Sequence, residues 1–317
     1  MIRRILKLKT IIVISFILFF SVVVTSVLGK DTVSESEGVT MWPTLHVINI
    51  RAGESKDITV HIKNHNDLEL EVTAEYKNLR VSSNPLEGLS IEGGLNVAPA
   101  SWLSPKSPIP FELSPGEENT FISMLSIPED IDVKGHYPVI LMKFTSKEIT
   151  DEFRATSEIG SVLYISVSDV KGKEAKVDSQ VKYFSANPKI SLKPRATFST
   201  AISNSGNVHY RPRGKMNIIN PKGIIQSDTP SFNERLRYLL PGQTLEEELV
   251  WKDNDSSLFP PIGKYRAVFD LYIEEDRSFI LREETYFYVV PYQYFFLVGV
   301  VLLVIFGGIY MVKRRAA

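Results

Sequence analysis

The sequence predicts an all-β protein: two tandem immunoglobulin-like β-sandwich domains followed by one C-terminal transmembrane helix. Three observations carry this. Apolar and polar residues alternate through many short segments, the period of a strand with one buried and one wet face. Clusters of Gly, Pro, Asn and Asp punctuate those segments, and no long capped stretch at helical spacing lies between Lys30 and Tyr292, a combination that favours sandwiches over interleaved strands and helices. Finally, Phe295 to Val312 (FFLVGVVLLVIFGGIYMV) runs 18 residues without a charge. A helix of that length covers about 27 Å, close to the hydrocarbon thickness of a bilayer.

In chain order, residues 1–29 open with Arg3, Arg4, Lys7 and Lys9 and continue apolar from Thr10 to Leu28. A basic start, an apolar run and the small residues Val27 and Gly29 before a cut read as a signal peptide. The 19-residue apolar run also allows an uncleaved N-terminal anchor. Residues 30–40, with the acidic Asp31 to Gly38, form a flexible lead-in.

The first sandwich is expected over 41–168. Ile58, Val60 and Ile62 alternate with polar neighbours, and after Asn64-His65-Asn66-Asp67 the pattern resumes as Leu68, Leu70, Val72, Ala74, Tyr76. Two such runs around a turn predict an antiparallel hairpin. Phe121–Ile127, Tyr137–Phe144 and Ile159–Val167 are further strands. The charged segment 169–176 (DVKGKEAK) is the linker.

The second sandwich, 177–292, has strands over Phe198–Ile202, Lys215–Ile219, Leu245–Trp251, Tyr265–Ile273 and Phe279–Val290, with Glu275-Asp276-Arg277 turning the last pair. Ala52-Gly53-Glu54, Pro115-Gly116-Glu117 and Pro241-Gly242-Gln243 each precede a strand, a weak internal repeat built on a turn that needs glycine. Residues 293–312 form the span, entered through the interfacial aromatics Tyr288, Tyr292 and Tyr294. Lys313, Arg314 and Arg315 in the tail, 313–317, place it in the cytoplasm. The expected topology is single-pass type I, with the ectodomain extracellular.

Charge refines this picture. The whole chain carries a net charge of −1, but residues 30–171 hold 12 basic against 22 acidic residues, whereas 172–292 hold 17 against 15. An acidic outer half disfavours nucleic acid as a partner. With no cysteine, disulfides, thiolate metal sites and cysteine nucleophiles are excluded.

The order of features resembles the WxL-interacting proteins of Gram-positive bacteria, or a looser relative. Trp102-Leu103, Phe111 to Glu117, Ile127 to Asp130 and Gly135-His136-Tyr137 carry the likeness in the first domain. Asn204 to His209, Pro212-Arg213-Gly214, Leu240-Pro241-Gly242 and Gly263-Lys264-Tyr265 carry it in the second. The resemblance implies a first domain directed at peptidoglycan and a second directed at partner surface proteins or host ligands. No Trp here is followed two residues on by Leu, so the chain is not similar to a WxL protein itself.

Chemistry-bearing patterns are sparse. His61 and His65 have the spacing of a helical metal pair but fall on a strand end and its turn. Asp253 to Ser256 begins like a calcium loop but lacks the glycine and terminal glutamate. Glu246, Glu247 and Glu248 are adjacent on a strand, where successive side chains point to opposite faces and build no acid/base pair. Gly-x-Ser-x-Gly, HExxH and the phosphate loop are absent. The reading is a non-enzyme with no metal or cofactor.

From Ser179 to Ser227 the chain holds eight basic residues and no acidic one. Arg211, Arg213 and Lys215 are the candidate binding residues of a basic face for anionic headgroups, a wall polymer or an acidic partner. The alternative is that these charges pair within the domain with Glu246 to Glu248 and Glu274 to Asp276. Asn204-Ser205-Gly206-Asn207 is expected to turn with Gly206 at positive φ. The sequence therefore predicts a membrane-anchored scaffold engaging another cell-surface protein or peptidoglycan. The second reading is an accessory subunit of a membrane export or surface-assembly complex, with Gly299, Gly307 and Gly308 admitting a partner helix.

Overall fold

A computed structural model describes residues 38–81, 89–92, 98–147, 156–226, 229–253 and 260–316. The expected signal peptide, most of the lead-in and Asn254 to Ser256 lie outside them. The first eleven strands are β1 (Val39–Trp42), β2 (Leu45–Arg51), β3 (Ser55–Asn64), β4 (Leu70–Val81), β5 (Leu89–Glu92), β6 (Leu103–Pro105), β7 (Phe111–Leu113), β8 (Glu118–Ser126), β9 (Gly135–His136), β10 (Pro138–Ser146) and β11 (Thr156–Ser168). Then follow β12 (Ser179–Asn187), β13 (Ile190–Ser191), β14 (Arg195–Asn204), β15 (Pro212–Ile219), β16 (Ser231–Phe232), β17 (Thr244–Lys252), β18 (Gly263–Ile273), β19 (Phe279–Val289) and the helix α1 (Tyr292–Ala316).

The protein is all-β, with two immunoglobulin-like sandwiches and one long apolar C-terminal helix. In the first sandwich the sheet β1-β3-β8-β6 faces the sheet β2-β11-β10-β4-β5, with β7 added to β4 and β9 to β11. In the second, β12-β14-β17 faces β13-β19-β18-β15-β16. The opening strand of each is divided between the two sheets. β1 and β12 run antiparallel to β3 and β14, and the chain then crosses so that β2 and β13 run parallel to β11 and β19.

Each domain has its own core, as period-two alternation requires. Ile58, Val60, Ile62, Val72, Phe121, Ile140 and Phe144 meet in the first. Phe198, Phe232, Trp251, Tyr265, Phe269 and Phe287 meet in the second. Burying each such side chain contributes about 1.5–3 kcal/mol.

The hairpin expected across Asn64 to Asp67 does not form. β3 pairs with β1 and β8, whereas β4 pairs with β10, β5 and β7 in the opposite sheet. The turn carries the chain across the sandwich. Alternation marks which face of a strand is buried, and strands on opposite sides of one core carry the same mark as strands side by side.

The glycine-turn repeat is real geometry. Gly53, Gly116 and Gly242 have φ of 83°, 74° and 80°. In each turn the side chain of the following residue, Glu54, Glu117 or Gln243, accepts from the backbone N–H three residues earlier, at 3.1, 2.8 and 3.1 Å. Only glycine adopts that φ without strain.

Two residues, Val290 and Pro291, separate β19 from α1. Within Tyr292–Arg314 an 18-residue window has a mean hydropathy of 2.7, and none of it is buried. The expected span of 293–312 lies wholly inside this helix.

Candidate functional site: the cleft between the sandwiches

The loop after β14 joins the domains. Asn204 ends the strand and turns its side chain inward, and Ser205 and Gly206 then donate to Asp178 O at 3.1 and 3.2 Å. Asn207 exchanges backbone and side-chain bonds with Lys176, donating to Lys176 O at 2.9 Å and accepting from Lys176 N at 2.7 Å on its Oδ1. Its amide also reaches the first domain, with Nδ2 donating to Val133 O at 2.8 Å while Gly135 N donates to Asn207 O at 2.7 Å. The sequence places a turn here, and the structure makes it the joint. Gly206 does not have the expected positive φ. Glycine is needed instead for close approach, because a Cβ there would lie 2.4 Å from Lys176 O and 2.6 Å from Asp178 N.

Beyond the joint, four rings meet. Tyr137 and Tyr164 come from the first sandwich, and His209 and Tyr238 from the second. Ring centroids are 5.1 Å apart for Tyr164 and His209, 5.6 Å for Tyr137 and His209, and 5.3 Å for Tyr164 and Tyr238. The Tyr137–His209 and Tyr164–Tyr238 contacts are edge-to-face and the Tyr164–His209 pair is tilted, and edge-to-face ring contacts are favourable beyond their area alone. Burial lowers the His209 pKa to about 4 and raises those of Tyr137, Tyr164 and Tyr238. The cluster is therefore uncharged at neutral pH.

Gly135-His136-Tyr137 and Gly263-Lys264-Tyr265 look alike in sequence but differ in pleat. Tyr265 points into its core, and its hydroxyl donates to Pro261 O at 3.0 Å, the tyrosine-corner arrangement of immunoglobulin-like domains. In the first domain His136 faces inward against Trp102, with centroids 4.6 Å apart. Tyr137 is thereby freed to face the second domain.

Next to the ring cluster lies an open cleft of about 450 Å³, lined by Val47, Asn49, Arg51, Glu54, Glu174 and Glu275 among others. One wall is the outward face of β2 and β11. β2 is the edge of its sheet, with Leu45 and Val47 exposed and Ile48 and Ile50 buried. Its outer edge pairs with no strand among the described residues, the arrangement that accepts a partner strand.

The three candidate basic residues do not act as one patch. Arg211 Nε donates to Glu275 Oε1 at 2.7 Å, and its guanidinium lies 5.1 Å from the Tyr238 ring centroid, so it is engaged within its domain at the cleft. The Glu275 hydrogen bond raises its pKa above the ordinary guanidinium value. Arg213 is half-buried and Lys215 exposed on β15, opposite Tyr272 and Asp270. All three lie towards the cleft end of the domain, whereas Lys189, Lys193 and Lys222 lie at the end where α1 begins. A basic run in sequence is divided between two ends of a sandwich because β14 and β15 traverse it in opposite directions.

The other singled-out residues are also accounted for. His61 stacks on Trp42 with centroids 5.5 Å apart and bonds Thr120, while His65 bonds Thr40, so the pair diverges onto different neighbours. Glu247 pairs with Arg237 at 2.5 Å and accepts from Asn233 N at 2.7 Å. Trp251 is fully buried and Trp102 nearly so, whereas Trp42 sits at the rim. No group of three His, Asp or Glu residues suited to hold a metal occurs among the described residues. The ring cluster escaped sequence reasoning. Its one legible mark is Tyr164, a large aromatic in an outward slot of a strand.

No family model and no curated protein matches the chain. Among solved structures it is similar to the class 5 fimbriae chaperone CfaA, at 12% identity over 80% of this chain and 100% of that one, with a TM-score of 0.38. It is also similar to the E. coli chaperone DraB, at 12% identity over 78% and 97% with a TM-score of 0.35. A third is the CsuC-CsuE chaperone-tip adhesion subunit complex from Acinetobacter baumannii, at 13% identity over 66% and 89% with a TM-score of 0.34.

Proposed function

We propose that the protein is a non-catalytic scaffold anchored by α1 with both sandwiches outside the cell, and that it binds an extended segment of another surface protein along β2. The observation that carries this is the unpaired edge of β2, with Leu45 and Val47 exposed, beside the interdomain cleft. An added strand gains main-chain hydrogen bonds from such an edge and specificity from alternate side chains. The cleft wall bears Glu54, Glu174, Glu275 and Asp276 against Arg51, so a basic segment complements it. Trp102-Leu103, Phe111 to Glu117 and Asn204 to His209 support placing the chain as a looser relative of the WxL-interacting proteins.

The test is crosslinking in intact cells with the full chain and with Leu45→Asp/Val47→Asp, whose outward charges block strand addition without entering the core. The expected result is a protein adduct that the double variant loses while keeping its thermal midpoint. An adduct of unchanged yield, or recovery of wall fragments in place of protein, overturns the edge-binding reading.

A further inference from the structure

The end of the second sandwich that adjoins α1 is built from four chain segments, and they converge through backbone and side-chain contacts. Tyr288 N donates to Lys189 O at 2.8 Å, Val290 N to Ser191 O at 2.8 Å and Tyr292 N to Leu192 O at 3.2 Å, so the loop around β13 lies against the helix base. Gly263, which starts β18, pairs with Val289 and lies against Pro221, which brings the loop after β15 to the same end. Asp253 N donates to Pro194 O at 2.9 Å. Two further contacts tie the helix to this end: Tyr294 Oη donates to Pro260 O at 3.2 Å, and Lys193 Nζ lies 5.8 Å from the Tyr292 ring centroid.

What this end exposes is unusual for a face left in water. Ile190, Leu192, Ile224, Ile225 and Ile262 are 64, 57, 57, 61 and 48% exposed, and Tyr288 is 47% exposed. Lone exposed apolar residues need no explanation, but contiguous patches mark an interaction surface. Interleaved with them are Lys189, Lys193, Arg195 and Lys222, all exposed, against the half-buried Asp253 as the acidic residue described at this end. Apolar side chains ringed by lysine and arginine are the chemistry of an interfacial membrane contact.

We infer that this end is a foot that seats the second sandwich in the headgroup layer of an anionic bilayer, with the five isoleucine and leucine side chains below the phosphates and the basic residues among them. The occupant follows from continuity: α1 leaves from this face, in contact with Leu192 and Pro260, so whatever bilayer holds the helix meets the foot. The inference rests on α1 being a span. Its consequence is mechanical. A helix joined by two residues to a domain that is itself seated cannot act as a loose tether, so the cleft is held at a fixed height and direction above the membrane.

The native chain has no cysteine, which makes a single labelled site clean. The full chain is reconstituted into phosphatidylcholine vesicles with and without phosphatidylglycerol, carrying an environment-sensitive dye on Ile225→Cys. A second protein carries it on Phe279→Cys, at the opposite end of the domain where Phe279 is 56% exposed and pairs with Tyr272. Flotation with the vesicles first confirms insertion, so a failed span shows itself separately. Nitroxide lipids labelled near the headgroup are expected to quench the dye at 225 and not at 279. Quenching at 225 is expected to fall to the level at 279 in the K189E/K193E/K222E variant and in about 1 M salt, where the screening length shrinks to about 3 Å. Inserted protein whose dye at 225 is no more quenched than the dye at 279 overturns the foot. Quenching at 225 that is unchanged by charge reversal, by salt and by removal of phosphatidylglycerol overturns its anionic-headgroup preference.

Discussion

Asn64 and Asn204 hold the same place in the two sandwiches. Each ends the second full strand, and each Nδ2 donates to the carbonyl four residues on, Leu68 O at 2.9 Å and Val208 O at 2.8 Å. Each also donates across the sandwich to the residue before the glycine turn, Leu113 O at 3.1 Å and Leu239 O at 2.8 Å. In return Gly116 N and Gly242 N donate to the backbone oxygens of Asn64 and Asn204, both at 3.0 Å. The two domains thus share a buried amide lock as well as a topology, which makes the internal repeat a property of the tertiary structure.

Replacing either asparagine by alanine strands buried carbonyls, each costing about 1–3 kcal/mol. Asn64→Ala and Asn204→Ala are each expected to destabilise their own domain by about 2–4 kcal/mol, read by chemical denaturation. Aspartate, which keeps Oδ1 but loses the donor, is expected to rescue neither.

His209 sets a pH dependence. Burial depresses its folded pKa to about 4 from the ordinary 6.5, so between those values the unfolded chain binds more protons and stability rises with pH. The contribution is flat above about pH 6.5, is lost progressively towards about pH 4, and amounts to at most about 3 kcal/mol. His46 and His136, also lowered by burial, act in the same direction. His209→Phe is expected to flatten the slope in part, measured as the unfolding midpoint across that range.

Gly206→Ala is expected to loosen the interdomain joint without unfolding either sandwich, because the new Cβ meets the linker backbone and not a core. Faster proteolytic cleavage within 169–178 at an unchanged core midpoint is the expected outcome. Gly214→Ala makes the contrast: its Cβ would lie 2.4 Å from the buried Phe269 ring and 2.6 Å from Phe232 Cβ. It is expected to cost the second domain about 1–3 kcal/mol by overpacking.

Exchanging Phe295 to Val312 for an unrelated span separates the two functional readings. Gly299, Gly307 and Gly308 have open space where a Cβ would be. Binding that survives the exchange supports the edge-strand scaffold, and binding that is lost supports a helix-mediated complex.

The strands, the helix and the glycine turns were legible because each rests on local chemistry. Period-two alternation follows from the pleat, 18 uncharged residues from bilayer thickness, and Gly116 and Gly242 from a φ that other residues avoid. The site was less legible. Arg211, Arg213 and Lys215 belong to one run of basic residues in sequence, yet Arg211 is held by Glu275, 64 residues away, and the remaining lysines divide between the two ends of the sandwich. Gly135-His136-Tyr137 and Gly263-Lys264-Tyr265 share a three-residue likeness that conceals a change of inward phase, His136 being buried in one and Tyr265 in the other.

By itself the sequence determined ten core strands, which of their faces are buried and where the chain can enter a membrane, whereas β2 and β12 emerged only in the structure. Each of the former follows from a residue and its near neighbours. Only the tertiary structure decided that β3 and β4 stand in opposite sheets, that Asn207 binds the first domain, and that the lysines beside α1 lie at the same end of the sandwich as Ile224 and Ile225. Those outcomes depend on pairing between distant segments, and identical local patterns are compatible with more than one pairing until both cores close.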